Sequence, residues 1–312
     1  MVEIDAELDK QYNARTTVPD SADWIAHYSR LGEQVQSWRG FQVPPAYGVS
    51  YGPGPSDRMD IFPAPHAGSP VFVFIHGGYW RALSRIDGIF MAPLFHLAGA
   101  TVVSLDYALA PGSGLPEITA QVGRALKWIA RHVERYNGDP HKIHISGHSA
   151  GAHLAAMQLL REPESASPAV GDVGTSESDR LPHIQSASLF SGLFDLRPLL
   201  KTHINDWLQL DEAGAHAMSP MVYAPRSGCR VVVAFGANES QAFRWQSETF
   251  AREWSSHAGM PPVVCMALPG KHHFDCPLTL TDPGLSVTQA VFACMGLTPP
   301  SQEADFNGRP TP

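Results

Sequence analysis

Six short apolar runs, separated by longer segments with helical periodicity, constrain this chain more than any other feature of its sequence. The runs are Val71–Ile75, Val102–Leu105, Ile143–Ser146, Ala187–Phe190, Arg230–Phe235 and Val263–Leu268. Their near-continuous apolar character suits strands covered on both faces, as in a parallel sheet. Between them, Glu117–Tyr136 carries one apolar stripe of Ile118, Val122, Ala125, Leu126, Ile129 and Val133. Ser149–Leu160 and Gln241–Trp254 read as helices as well. Strands alternating with helices imply βαβ units joined by right-handed crossovers. The expected fold is therefore α/β, with a mostly parallel central sheet and helices on both faces.

The flanks read differently. Trp24, Ile25, Tyr28, Leu31, Val35 and Trp38 recur at three- or four-residue steps, so residues 1–45 are expected to form a short N-terminal helical cap ending at Pro44 and Pro45. Tyr47–Phe62 is expected to hold two extended pieces around the turn Gly52-Pro53-Gly54-Pro55. A length of 312 residues alone would allow two domains. The motif order instead assigns residues 46–297 to one sheet domain, followed by a flexible, Pro-rich tail over 298–312. Within it, the polar stretch Glu162–Leu181 reads as a mobile surface loop.

Composition narrows the partner classes. The 22 basic and 30 acidic side chains give a net charge of −8, which argues against a nucleic-acid partner or a polybasic membrane surface. No stretch approaches the length of an apolar membrane span, and the acidic N-terminus lacks the apolar core of a secretory signal. The four cysteines fall in the last third without a CxxC pair and read as reduced thiols, so a cytoplasmic enzyme is expected. His141, His144, His148 and His153 lie close in sequence, but no H-E-x-x-H motif includes them. No P-loop or G-x-G-x-x-G follows a strand either. Neither a metal nor another cofactor is expected.

The residues that carry chemistry sit where the apolar runs end. Gly147-His148-Ser149-Ala150-Gly151 fits G-x-S-x-G, follows the run KIHIS and opens the apolar helix AHLAAMQLL. That is the strand–turn–helix setting of a nucleophile elbow, with Ser149 as nucleophile. A hydroxyl of ordinary acidity needs a base. The histidines of Gly270-Lys271-His272-His273-Phe274 follow the last run, and two adjacent imidazoles cannot both enter one site from an extended loop. His273 is the preferred base and His272 the alternative. Glu239, in the turn Gly236–Ser240, is placed to orient that imidazole and stabilise its cation, with Asp275 and Asp206 as rivals. His76-Gly77-Gly78-Tyr79-Trp80 follows the first run. The N–H groups of Gly78 and Tyr79, with that of Ala150 after the nucleophile, are the expected oxyanion donors. His76 is expected to hold this loop by hydrogen bonding.

Together, HGGYW at 76–80, Asp106-Tyr107-Ala108-Leu109-Ala110-Pro111, GHSAGAHLAA at 147–156 and SGLFDL at 191–196 resemble the kynurenine formamidase (arylformamidase) branch of the α/β-hydrolases. The likeness extends to Tyr12–Arg15, Val18–Asp20, Asp57–Phe62, Asn205 to Pro220 and Phe243–Ser247. It implies the α/β-hydrolase fold and a serine hydrolase that cleaves N-formyl-L-kynurenine, or a similar N-formyl arylamine, to formate and the free amine without a metal. Carried over by motif, Ser149 is the nucleophile and His273 the base, with the oxyanion donors in HGGYW. Members of the branch commonly have Asp where this chain has Glu239. An aromatic small-molecule substrate would need a cleft on its leaving-group side, for which Tyr79, Trp80, His148 and aromatics of the N-terminal segment are candidates. A carboxylesterase or amidase acting on another small acyl group is the alternative, a hydrolase-fold binding module without activity a third reading, and a homodimer is left open.

Overall fold

The computed structural model describes residues 3–160, 181–226 and 228–300. Its strands are β1 (Ala46–Ser50), β2 (Arg58–Phe62), β3 (Ser69–Ile75), β4 (Thr101–Leu105), β5 (Gly138–His148), β6 (Ile184–Phe190), β7 (Arg230–Gly236) and β8 (Val264–Leu268). The helices are α1 (Ala6–Tyr12), α2 (Ala14–Thr17), α3 (Ser21–Ser37), α4 (Ala92–Leu97), α5 (Leu115–His132), α6 (Ala150–Met157), α7 (Asn205–Leu208), α8 (Glu212–Ala217), α9 (Gln241–Ser256) and α10 (Ser286–Met295).

All eight strands join one sheet in the order β1-β2-β4-β3-β5-β6-β7-β8. β2 pairs antiparallel with β1 and β4, and the remaining pairs are parallel. Register aligns the C-terminal ends: Ile75 lies opposite Leu105 and Gly147, His148 opposite Phe190, and Gly236 opposite Leu268. The loops after β3, β5, β6, β7 and β8 therefore emerge along one edge, the edge at which open α/β sheets bind ligands.

The period-two alternation of a strand divides the core into two layers. Val71, Val73 and Ile75 of β3 pack with Ile118 and Leu126 of α5, Leu154 of α6 and Phe250 of α9. Phe72 and Phe74 point the other way, toward Phe95 of α4 and Phe292 of α10. The N-terminal helices contribute to both layers, Tyr12 and Ala14 to the first and Tyr28 and Val35 to the second. Behind the loop that follows β3, Arg85 is clamped between the carboxylates of Asp60 and Asp106, with its Nε 2.8 Å from Asp60.

The N-terminal helical pattern stops at Ser37, with Trp38 already extended, before the expected end at Pro44 and Pro45. Two further expectations need correction. The run at Val263–Leu268 is not covered on both faces: Val264 is 46% exposed and Cys265 is exposed, because β8 is an edge strand with a neighbour on one side only. The helix after Ser149 ends at Met157, before the expected Leu160. The expected loop over 162–181 and tail over 298–312 fall outside the described residues, apart from 181 and 298–300. Among the described residues, no helix is long and apolar enough to cross a membrane.

Burial in this fold has a titratable consequence. Desolvation pushes the pKa of His144 on β5 and of His153 on α6 down to about 4, from the ordinary 6.5. Between those values the unfolded chain binds protons that the folded chain does not, so stability is complete above pH 6.5 and declines toward pH 4. Each histidine contributes a slope of up to about 1.4 kcal/mol per pH unit in that window. Urea denaturation across the window should show this decline, and His144→Asn should make it shallower.

Candidate active site

Ser149 occupies the junction between β5 and α6 with φ 55° and ψ −118°. Such a conformation is costly for a side chain other than glycine and persists only where the surroundings over-determine it. Here they do. A Cβ on Gly147 would lie 2.3 Å from the carbonyl oxygen of Gly151, and one on Gly151 only 2.0 Å from that of Ile75. The Ser149 N–H donates to the Phe190 carbonyl at 2.8 Å, tying the turn to β6.

His273 follows β8 and meets the serine. Its Nε2 is 3.1 Å from Ser149 Oγ, and its Nδ1 is 3.2 Å from Glu239 Oε2. With Nδ1–H donating to the carboxylate, Nε2 is left to accept from the hydroxyl. Glu239 lies in the turn after β7 and its side chain folds back on that turn. Its Oε1 accepts from the Gly236 N–H at 2.6 Å and from the Ser191 hydroxyl at 2.5 Å. This curl accommodates the methylene by which Glu exceeds Asp. All three residues are buried.

The loop carrying His273 is gripped from two sides. The Nε2–H of His148 donates to the His273 carbonyl at 2.8 Å, and the Tyr28 hydroxyl of α3 donates to the Phe274 carbonyl. Burial, and then the nearby His273 ring, hold the pKa of His148 well below the ordinary histidine value, so it stays a neutral donor. His148 also reaches the cavity wall. His272 turns away: its Nδ1 accepts from the Phe274 and Asp275 N–H groups, and its ring meets Trp24 edge-on at 4.9 Å. Asp275 accepts from the His272 N–H and faces Lys271, while Asp206 is exposed on α7. Of the three candidate carboxylates, Glu239 is the one that meets His273.

The loop after β3 makes a tight turn. The Arg81 N–H donates to the Gly78 carbonyl at 3.0 Å, with φ 51° at Tyr79 and 57° at Trp80. Positive φ at both central positions belongs to type I′ turns, which normally use Asn and Gly. Two aromatic residues hold it here because both turn carbonyls are engaged: that of Tyr79 by Trp207 Nε1–H at 3.0 Å, and that of Trp80 by the Ala110 N–H at 2.7 Å. The Tyr79 hydroxyl also donates to the Tyr12 carbonyl. Ala150 is the first residue of α6, where an N–H has no intrahelical acceptor. His76 donates from Nδ1 to the Gly77 carbonyl at 2.9 Å and stacks on Tyr107, within the loop's own scaffold.

These groups open on a cavity of about 350 Å³, with Gly78, Tyr79, His148, Ser149 and His273 on its wall. Trp80 is not on that wall. It is fully buried, its indole N–H directed at His153 Nδ1 at 3.3 Å, because the turn sends the two adjacent aromatic side chains to different places. The aromatic wall comes instead from Trp207 on α7 and Tyr28 on α3, joined by Asn13, Arg15, Arg81 and His203. Of these six, Tyr28 belongs to the N-terminal aromatics expected at the cleft; the other five come from three separate stretches, at 13–15, at 81 and at 203–207, that no motif joins. Among the described residues, no group of three or more His, Cys, Asp or Glu side chains could hold a metal ion.

Known proteins resemble this chain in sequence and fold. The BD-FAE family model matches residues 59–253. The kynurenine formamidase of Salmo salar is 32% identical over 302 residues, covering 93% of this chain and 96% of its own length. That of Danio rerio is 30% identical, with the same coverage. The chain belongs to the kynurenine formamidase branch of the α/β-hydrolases. A solved structure from silicibacter sp. tm1040 with a thioesterase assignment superposes with a TM-score of 0.75 at 28% identity, covering 91% of this chain and 98% of that one. This branch member is accordingly a hydrolase-fold enzyme.

The close backbone contacts around the serine make a specific demand. Gly151→Ala should lower the thermal midpoint by about 5 °C or more, because its new methyl would meet a backbone oxygen that cannot move aside. Differential scanning calorimetry checks this.

Proposed function

We propose that this enzyme is a serine hydrolase that cleaves the formamide of N-formyl-L-kynurenine, or a close N-formyl arylamine, to formate and the free amine. The observation that carries the reading is the continuous hydrogen-bond chain from Ser149 through His273 to Glu239, opening on a cavity beside the Gly78–Arg81 turn. The membership of a branch whose relatives are kynurenine formamidases over nearly their whole length supports the substrate.

In this reading Ser149 Oγ attacks the formyl carbon as His273 Nε2 takes its proton. Negative charge moves onto the formyl oxygen and faces the N–H groups of Gly78, Tyr79 and Ala150, each such donor being worth about 10²–10³ in rate. Glu239 stabilises the imidazolium on its other side. As the tetrahedral intermediate collapses, His273 returns the proton to the leaving arylamine nitrogen. Water then attacks the formyl-serine with His273 as base, releasing formate. An arylamine is a better leaving group than an alkylamine, and the aromatic walls at Tyr79, Trp207 and Tyr28 suit its ring. His148 acts as a positioning residue for the base.

Ester cleavage follows the same path, and the thioesterase assignment of the silicibacter relative keeps it as the second reading. Comparing kcat/KM for formate release from N-formyl-L-kynurenine with that for short p-nitrophenyl esters separates the two. A formamide value equal to or above the ester value is expected; an ester preference of several orders of magnitude would sink the formamidase reading. Ser149→Ala should cost about 10⁶ in kcat and Glu239→Ala about 10⁴, leaving a measurable residue in the second case. Full activity in Glu239→Ala would mean that another carboxylate orients the base.

A further inference from the structure

Beyond the residues of the proposed chemistry, the cavity wall has a charge character of its own. Arg15 and Arg81 line it, with no Asp or Glu among the described lining residues, in a chain whose net charge is −8. Arg85, Arg124, Arg197 and Arg252 each pair with a carboxylate. Among the described residues, Arg15 and Arg81 form no such pair, and both are exposed. The nearby Asp9 is already engaged, accepting from the His203 N–H at 2.7 Å and facing that residue's Nδ1 at 2.5 Å.

Arg81 is also held in place. Its guanidinium carbon stands 4.2 Å from the centre of the Trp207 ring, whose indole N–H is bonded to the Tyr79 carbonyl. Its own N–H closes the turn on Gly78. A planar cation stacked on an aromatic face keeps its outer N–H groups available as a fork that matches a carboxylate. Stacking also removes much of the side-chain freedom that binding would otherwise have to restrict. Arg15 comes from α2, in the N-terminal segment, and so reaches the same cavity from a different part of the fold. Two cations lining one cavity without a counter-charge among the described lining residues repel one another, and an anion between them relieves that repulsion.

We propose that Arg81, braced on Trp207, and Arg15 form an anion-recognition site in the leaving-group part of the cavity, selecting aromatic substrates that bear a carboxylate over neutral counterparts. The proposal rests on the reading of Ser149 as nucleophile, which defines the leaving-group side. N-formyl-L-kynurenine, with its amino-acid carboxylate, has the required chemistry.

Binding to the Ser149→Ala protein tests it without turnover. Kynurenine and its methyl ester, which lacks the negative charge, are titrated by calorimetry. The carboxylate ligand should bind at least about 10-fold tighter than the ester, the scale of a charge-assisted hydrogen bond. Adding Arg81→Gln should bring that ratio close to one, Arg15→Gln should lower it by a smaller factor, and Arg81→Lys should restore part of it. No measurable carboxylate binding, a ratio near one before the arginines are changed, or a ratio unaffected by both Gln variants would overturn the proposal. If wild-type protein releases no formate while the binding ratio holds, the formamidase reading fails and the anion site stands.

Discussion

The left-handed backbone of Ser149 is the constraint on which the rest of the site depends. It can exist only where Gly147 and Gly151 let three backbone segments touch, and the contact of Gly151 with the Ile75 carbonyl brings the end of β3 against the elbow. The loop that begins there contains Gly78 and Tyr79. The close contact that permits the strained serine therefore also sets the distance between Ser149 and the turn facing it. Parallel register completes the arrangement, since β5, β6, β7 and β8 end at matched levels and deliver Ser149, Ser191, Glu239 and His273 to one edge.

The N-terminal helices are structural parts of this site. Tyr28 bonds the loop of His273, and Tyr12 receives the hydroxyl of Tyr79 at its carbonyl. The buried amide of Gln246 links Tyr12 to the loop after β6: its Nε2 donates to the Tyr12 hydroxyl and the Asp195 carbonyl, and its Oε1 accepts from the Phe194 and Asp195 N–H groups. Every donor and acceptor of that amide is used, as burial of a polar group requires. Without these contacts the cavity would lose one wall and both loops a restraint.

Much of this was legible in the sequence. Five of the six apolar runs are buried strands, and G-x-S-x-G lies where a strand ends and a helix begins. Glu239 was readable because few acids stand just after β7, although its curl onto Gly236 was not, since that depends on Ser191 from a neighbouring strand's loop. Periodicity could not distinguish the edge strand β8 from a central one, because strand order is a property of the whole sheet. Nor could adjacency show that Tyr79 faces the cavity while Trp80 faces His153. That division follows from a turn whose conformation is imposed by Ala110 and Trp207, both distant in the chain. Arg81 gains its support from the same Trp207, so its setting was equally hidden.

The proposed function requires Ser149 to be a nucleophile prepared by His273 before any substrate arrives. Reaction with a fluorophosphonate followed by intact-protein and peptide mass spectrometry tests it most directly. A single adduct on Ser149, formed far more slowly in His273→Ala, is expected. An unlabelled protein, an adduct on another residue, or labelling at the same rate without the imidazole would contradict it.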